Sequence, residues 1–146
     1  MKISVIGAGN VGATCANVIA QANFAQEVVL LDIKEGVSEG KSLDIWQSAA
    51  ICSYSTRNVS VTNDNAATAG SDITIITSGI PRRPGMSRDD LIGTNARIVK
   101  SVTENVIKHS PDTIVILVAN PLDVMSYCAF LTAKIPSNRV FGMAGI

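Results

Sequence analysis

The sequence carries no excess of charge of either sign, because 12 basic residues balance 12 acidic residues over 146 positions. A neutral chain has no overall field that would draw it to nucleic acid or to an anionic membrane surface. No apolar run approaches the ~20 residues that a membrane-spanning helix needs. The first residues enter a predicted strand without the pattern of a signal peptide. We therefore expect neither nucleic-acid nor membrane partners.

Cysteine is scarce, and Cys15, Cys52 and Cys128 form no CxxC pair. An odd number of widely spaced cysteines supports neither a disulfide framework nor a zinc site. We expect no metal and a reducing, cytoplasmic location. We also expect these cysteines and the single tryptophan, Trp46, to be packing residues. The single histidine, His109, ends a predicted helix, which suits a partly charged histidine better than a catalytic base.

Repeats, linkers and low-complexity tracts are also absent, and the composition of 47% apolar and 16% charged residues is typical of one compact domain. Short apolar runs alternate with longer helical patterns. The predicted strands cover residues 3–6, 28–31, 59–61, 73–77, 114–118 and 139–141, and the predicted helices cover 11–22, 37–50, 89–108 and 122–133. This alternation predicts an α/β, doubly wound domain with a six-stranded, mostly parallel sheet and helices on both faces.

Two of the predicted strands differ in character. The run 28–31 is apolar at every position, which is typical of a strand buried on both faces. The run 59–61 alternates, which favours a place nearer the edge of the sheet.

A glycine motif, Gly-Ala-Gly-Asn-Val-Gly at 7–12, lies between the first strand and the first helix. In that context GxGxxG predicts a loop that holds the phosphates of a dinucleotide. Gly7 permits the tight turn, Gly9 lets the backbone approach a pyrophosphate, and Gly12 lets the helix pack closely on the strand. The amides at the helix start then face the phosphates. The candidate cofactor-binding residues of this loop are Gly7, Ala8, Gly9, Asn10, Val11 and Gly12.

Asp32 follows 20 residues after Gly12, at the end of the second predicted strand. An acid there is expected to bind the adenosine ribose hydroxyls. Its charge would repel a 2′-phosphate, so NAD is favoured over NADP as the cofactor. The alternative is that the glycines serve only a tight turn and Asp32 caps a helix.

Three arginines, Arg82, Arg83 and Arg88, lie within seven residues in a Gly/Pro-punctuated segment that directly follows the strand 73–77. Loops at the carboxyl ends of strands in open α/β sheets are where ligands bind. Arginine is well suited to clamping carboxylates with two hydrogen bonds. The segment predicts recognition of a small, multiply anionic substrate. The alternative is a solvated basic loop or a weak nucleic-acid patch.

Five segments together resemble the malate/lactate dehydrogenase family, and specifically the lactate-dehydrogenase-like malate dehydrogenases of bacteria. They are GAGNVG at 7–12, VVLLDIKEG at 28–36, GIPRRPGMSRDDL at 79–91, VANPLDVM at 118–125 and FGMAGI at 141–146. The resemblance implies an NAD-binding Rossmann domain over 1–146 and a tricarboxylic acid cycle oxidoreductase that interconverts (S)-malate and oxaloacetate. It also implies a homodimer or homotetramer at full length, with subunit contacts near the helix 37–50.

The resemblance assigns substrate roles to three residues. Arg82 matches the residue that contacts the distal carboxylate of malate or oxaloacetate, where lactate-specific relatives carry glutamine. A monoanionic substrate would leave this arginine unpaired in a closed site, which disfavours it. Arg88 is similar to the mobile-loop arginine that polarises the substrate carbonyl, with Gly79 and Gly85 as candidate hinges. Arg83, where relatives usually have lysine, has a lesser expected role.

Three further residues are implied in cofactor binding. Asn95 resembles a cofactor contact, and Val118 would contribute backbone contacts to NAD. Asn120 is similar to the asparagine that binds both the cofactor region and the substrate, and a cis peptide before Pro121 would help to aim it.

The family's proton-transferring histidine, its orienting aspartate and a further carboxylate-binding arginine lie downstream of the segment 141–146, so we expect them beyond Ile146. We therefore expect this chain to be the cofactor-binding half, without catalytic residues and without the C-terminal catalytic domain. Two alternatives stay open: a lactate or other 2-hydroxyacid dehydrogenase, and a stand-alone NAD-binding or sensing module that performs no catalysis.

Overall fold

The computed structural model describes residues 1–143. Ile146, beyond which the catalytic histidine and aspartate are expected, therefore lies outside the described residues, as do Ala144 and Gly145 of the segment 141–146. The expectation of catalytic residues beyond Ile146 stays a prediction.

Strands β1 to β6 span Lys2–Ile6, Glu27–Asp32, Arg57–Thr62, Ile73–Ile76, Ile114–Leu117 and Val140–Gly142. Helices α1 to α4 span Asn10–Ala22, Val37–Cys52, Arg88–His109 and Leu122–Ala133, and two short 3-10 helices span Asn65–Thr68 and Ser137–Arg139. Every predicted strand and helix is present, with small shifts at the ends.

The six strands form one parallel sheet in the order β3-β2-β1-β4-β5-β6. The predicted doubly wound fold is confirmed, and β3 lies at an edge as expected. The chain builds outward from the centre in two directions, first from β1 to β3 and then from β4 to β6. The reversal leaves β1 beside β4, and a crevice opens at the carboxyl ends of such a pair.

Helices cover both faces of the sheet. On one face Ala16 and Ala20 of α1 pack against Ile3 and Val5 of β1, and their small side chains let the helix come close to the strand. On the other face α3 and α4 cover β4 and β5, with Val99, Val106 and Met125 packed on Ile76 and Leu117. The residues of 28–31 in β2 are each 3% exposed or less, which confirms burial on both faces.

The expected packing role of Trp46 and Cys52 is wrong, because Trp46 is 62% exposed and Cys52 is exposed. Helix α2 meets the sheet through one face, whose buried residues include Ser42 and Ile45. Around the helix, Trp46 lies about 100° from Ile45 and about 40° from Ser42, so it stands at the margin of that face, where its large side chain stays in solvent. Cys15 and Cys128 are half-buried.

Within residues 1–143 no helix combines the length and the apolar character that crossing a membrane requires. The same residues contain no group of three or more His, Cys, Asp or Glu side chains that could hold a metal ion.

Candidate functional site

Two clefts lie side by side at the carboxyl ends of the central strands. The first, of about 390 Å³, reaches from the glycine loop to Asp32 and Asn63, with Ile98 and Val102 of α3 in its wall. The second, of about 550 Å³, lies between the start of α1, the arginine segment and the end of β5. They share the lining residues Gly9, Thr77, Gly79 and Ile80 and so form one continuous site.

The glycine loop needs glycine at two positions for steric reasons. Gly7 has φ +106°, in the region that L side chains rarely adopt. A Cβ on Gly12 would lie 1.8 Å from the carbonyl oxygen of Gly7 and 2.7 Å from Thr77 Oγ1. The predicted turn at Gly7 is therefore observed, and the close approach at Gly12 is to the loop itself and to the residue after β4.

Gly9 differs, because a Cβ there would meet nothing within 4 Å. It is the N-cap of α1, where no side chain caps the helix and no acidic residue occupies the first turn. The helix start therefore presents its free amides and positive dipole end to open space. These features fit an anionic group such as a pyrophosphate, and the first-turn residues Asn10 and Val11 line the second cleft.

Asp32 lies at the end of β2, half-buried, on the wall of the first cleft. Its Oδ2 accepts a hydrogen bond of 2.6 Å from the amide of Ala8, and its Oδ1 accepts one of 2.9 Å from the amide of Lys34. A carboxylate has about four acceptor positions, so these two bonds leave capacity for ligand hydroxyls. Asp32 thus ties the glycine loop to β2 besides facing the cleft.

Thr77 and Ser78, which directly follow β4, form a second attachment of the glycine loop. Thr77 Oγ1 donates to the carbonyl oxygens of Ile6 at 3.2 Å and Gly7 at 3.0 Å, and Ser78 Oγ donates to Ile6 at 2.9 Å. Sequence reasoning missed both residues. Their only signal is a pair of hydroxyls after a strand, which gains meaning once β4 is known to lie beside β1.

The arginine segment is exposed, and its three arginines occupy different places. Arg82 lines the second cleft together with Asn120, and its Nε donates to the carbonyl of Met86 at 3.2 Å. Arg83 does not line that cleft. Arg88 is the first residue of α3 and lines neither cleft. The structure therefore brings Arg82, and not Arg88, to the glycine loop and Asn120.

Three other predicted residues meet at the end of β5. Val118 lines the second cleft, and its amide donates to the carbonyl of Ile76 at 2.9 Å. The predicted cis peptide between Asn120 and Pro121 is present. Asn95 lines the same cleft from α3, and its side chain is 2% exposed.

The single histidine lies far from this edge of the sheet. His109 is the last residue of α3, and its carbonyl accepts a hydrogen bond from the amide of Gly70, shortly before β4 begins. That is the amino end of the strand, whereas both clefts lie at the carboxyl ends. His109 is therefore not placed to exchange a proton with a ligand in either cleft.

Two carboxyl groups outside the clefts have shifted pKa values. The side-chain hydroxyl and the backbone amide of Ser87 hold the pKa of Asp90 below its usual value, as part of the capping box at the start of α3. A hydrogen bond from the hydroxyl of Thr62 is the main cause that lowers the pKa of Glu39.

Known proteins resemble this chain over nearly its whole length. The malate dehydrogenase of Cytophaga hutchinsonii is 63% identical over 146 residues, which are 100% of this chain and 47% of that protein. The structure of malate dehydrogenase from Salinibacter ruber has a TM-score of 0.92 at 50% identity, over 99% of this chain and 45% of that chain. Malate dehydrogenase from Archaeoglobus fulgidus in complex with NADH has a TM-score of 0.92 at 34% identity, over 98% and 48%.

The chain thus spans about half the length of the curated relatives that it matches. Residues 1–142 match the family described as lactate/malate dehydrogenase, NAD binding domain. The motif, the parallel sheet with its reversal at β1 and β4, and the two joined clefts agree with that match. The chain therefore belongs to the lactate/malate dehydrogenase family, in its NAD-binding domain.

Proposed function

We propose that this chain is the NAD-binding domain of an NAD-dependent malate dehydrogenase that interconverts (S)-malate and oxaloacetate. The observation that carries the proposal is the second cleft, in which Arg82 and Asn120 lie beside the start of α1. That cleft joins the first, which ends at Asp32. A dinucleotide that spans both would have one end beside an acid and the other beside an arginine suited to a carboxylate.

We propose that NAD lies along the two joined clefts. Asp32 receives the adenosine ribose hydroxyls, and the uncapped start of α1 receives the pyrophosphate. The second cleft, with Val118, Asn95 and Asn120 in its wall, receives the nicotinamide end. When bound, NAD⁺ supplies the acceptor for the hydride that leaves C2 of malate while the hydroxyl proton is released, yielding oxaloacetate, NADH and H⁺.

The substrate part assigns Arg82 to the distal carboxylate, Asn120 to the reacting end of the substrate and Arg88 to the carbonyl oxygen. Arg82 and Arg88 are exposed in this structure, so both roles require the arginine segment to close over the cleft. Gly85, with φ +82° and no neighbour within 4 Å of a Cβ, can change its backbone conformation during that closure. Closure would exclude water and strengthen the pairing of Arg82 with a carboxylate.

The remaining parts of the proposal concern a longer protein, of which we propose that this chain forms one domain. We propose that residues 1–146 form its cofactor-binding domain and that a C-terminal domain beyond Ile146 supplies the proton-transferring histidine and aspartate. We further propose a cytoplasmic homodimer or homotetramer that takes a small-molecule substrate and binds no nucleic acid. The exposed apolar residues of α2, among them Leu43, Trp46 and Ile51, support a subunit contact on that helix.

The first experiment is a calorimetric titration of the chain with NADH and, separately, with NADPH. We expect saturable binding that prefers NADH, because the carboxylate of Asp32 repels a 2′-phosphate. Equal affinities would contradict the role of Asp32, and no binding of either would contradict a working cofactor site in this chain.

Turnover of oxaloacetate and pyruvate by the longer protein then separates the candidate activities. A preference for oxaloacetate supports malate dehydrogenase, and a preference for pyruvate supports lactate dehydrogenase. Cofactor binding without turnover of any 2-oxoacid supports the stand-alone binding module.

A further inference from the structure

Asn95 is a buried amide at the junction of the two loops that carry the proposed substrate residues. It lies in α3, is 2% exposed, and packs against the backbone of Gly79, where a Cβ would lie 3.4 Å from Asn95 Oδ1. Gly79 and Ile80 begin the arginine segment after β4. Asn120 belongs to the loop after β5. Asn95 therefore touches the base of one loop and faces the other.

The hydrogen bonds of Asn95 join these two loops. Its Oδ1 accepts from the amide of Ile80 at 2.9 Å, and its Nδ2 donates to the carbonyl oxygens of Ile80 at 3.3 Å and Asn120 at 2.9 Å. Both Nδ2 hydrogens are thereby used, and only one acceptor position of Oδ1 stays free. The pattern also settles the orientation of the amide, because Oδ1 faces an N–H and Nδ2 faces two carbonyls.

We propose that Asn95 is a positioning residue that holds the base of the arginine segment at a set distance from Asn120. Arg82 follows Ile80 by two residues, so a fixed Ile80 backbone limits where its guanidinium can reach. Groups that bind one substrate must be held in a common geometry, and loops need supporting hydrogen bonds to achieve this. The effect on catalysis rests on the proposed function, whereas the effect on the loop does not.

The loop effect is tested by amide hydrogen exchange in the intact protein. In Asn95→Ala we expect the Ile80 amide to exchange about ten- to a hundredfold faster, because its acceptor is lost. The amides of Thr77 and Val118, which donate to backbone carbonyls of the neighbouring strands at 2.9 Å, should keep their wild-type rates. Unchanged exchange at Ile80, or equal acceleration of all three amides, would overturn the proposal.

Two further variants sharpen this test. Asn95→Asp keeps an acceptor for the Ile80 amide but lacks the donor to the carbonyl oxygens of Ile80 and Asn120, so exchange at the Ile80 amide should stay closer to wild type than in Asn95→Ala. Asn17→Ala is the matched control, because it removes a helical asparagine whose side chain accepts a hydrogen bond from Gln21 within α1 and lines neither cleft. That control should leave Ile80 unchanged, and faster exchange there would overturn the assignment to Asn95.

The catalytic consequence is tested in the longer protein with NADH and oxaloacetate. We expect Asn95→Ala to lower kcat about ten- to a hundredfold and to raise the Kd for NADH by a clearly smaller factor, because Asn95 also lines the cleft proposed to receive the nicotinamide end. A loss of NADH affinity as large as the loss of kcat would overturn positioning in favour of a direct cofactor contact. Failure of the wild-type protein to reduce oxaloacetate would refute the proposed function, and the exchange data on Ile80 would still decide the role of Asn95.

Discussion

The amide of Ala8 donates a 2.6 Å hydrogen bond to Asp32 Oδ2, which ties the loop after β1 to the end of β2. The sequence motif predicts the acid as a ribose ligand only. The structure adds that the same carboxylate holds the loop whose amides face the proposed phosphate position. With the role proposed for Asp32, recognition of the cofactor and the shape of the glycine loop both depend on this one side chain.

Replacement of this carboxylate should change cofactor preference. In Asp32→Asn one carboxylate oxygen is replaced by a donor and the negative charge is lost, so the affinity for NADH should fall about tenfold or more. The affinity for NADPH should fall less, because the repulsion of its 2′-phosphate is removed. The preference for NADH over NADPH should therefore become smaller. Titration with both nucleotides measures this.

Asp72→Asn is the matched control for that variant. Asp72 also accepts a backbone hydrogen bond, from the amide of Lys2 at 2.7 Å, but before β4 and away from the clefts. It should keep the wild-type preference. An unchanged NADH-to-NADPH ratio in Asp32→Asn would show that Asp32 does not discriminate the two nucleotides.

Alanine substitutions at two glycines of the motif should separate an effect on stability from an effect on cofactor binding. Gly12→Ala places a Cβ 1.8 Å from the Gly7 carbonyl oxygen, so we expect about 1–3 kcal/mol or more of destabilisation in urea unfolding. Gly9→Ala meets nothing within 4 Å and has φ −65°, so its stability should stay within about 0.5 kcal/mol of wild type.

NADH affinity should be sensitive to Gly9→Ala, the variant of this pair that leaves stability near wild type. The added methyl group in Gly9→Ala occupies the space where the pyrophosphate is proposed to lie, and NADH affinity should fall about tenfold or more although the fold is intact. Wild-type affinity in Gly9→Ala would place the pyrophosphate elsewhere.

Arg82 and Arg83 form a natural matched pair for substrate choice. In the longer protein, Arg82→Gln should lower kcat/KM for oxaloacetate by about a hundredfold or more and raise it for pyruvate, because the proposed partner of the distal carboxylate is lost. Arg83→Gln removes the same charge from a residue that does not line the second cleft and should change the ratio little. Equal effects of the two variants would indicate general charge attraction instead of a specific contact.

The capping box of α3 should make the start of that helix sensitive to acid. The hydrogen bonds from Ser87 lower the pKa of Asp90 from its ordinary 3.8, so the folded state favours the charged carboxylate. The resulting stabilisation is complete above pH 3.8 and is lost as the pH falls through the lowered pKa. The difference in Tm between wild type and Asp90→Asn should therefore be present at neutral pH and vanish in strong acid.

Two variants check that the capping box is the cause. Ser87→Ala should lower Tm by about 2–4 °C at neutral pH, as loss of an N-cap does in a domain of this size. Asp89→Asn alters an acid of the same first turn that is outside the capping box, and it should lower Tm less. A pH dependence of equal size in Asp90→Asn and wild type would exclude Asp90 as the titrating group.

Local patterns in the sequence predicted the elements and one half of the site. Apolar periodicity depends on neighbouring residues, and it located all six strands and four helices with small errors at their ends. The glycine motif and Asp32 also carry local signals, because a tight turn, an uncapped helix start and an acid after a strand are written within about 30 residues. The cis peptide before Pro121 is instead implied by the family resemblance of the segment 118–125.

Long-range packing decided the rest. No local pattern places β4 beside β1, yet that adjacency brings Thr77 against Gly12 and joins the two clefts. The burial of Asn95 between the loops after β4 and β5, and the exposure of Trp46 on α2, likewise depend on which faces the helices turn to the sheet. Short-range steric contacts and hydrogen bonds depend on residues that are neighbours in the sequence. Contacts between distant segments form only when the whole core packs.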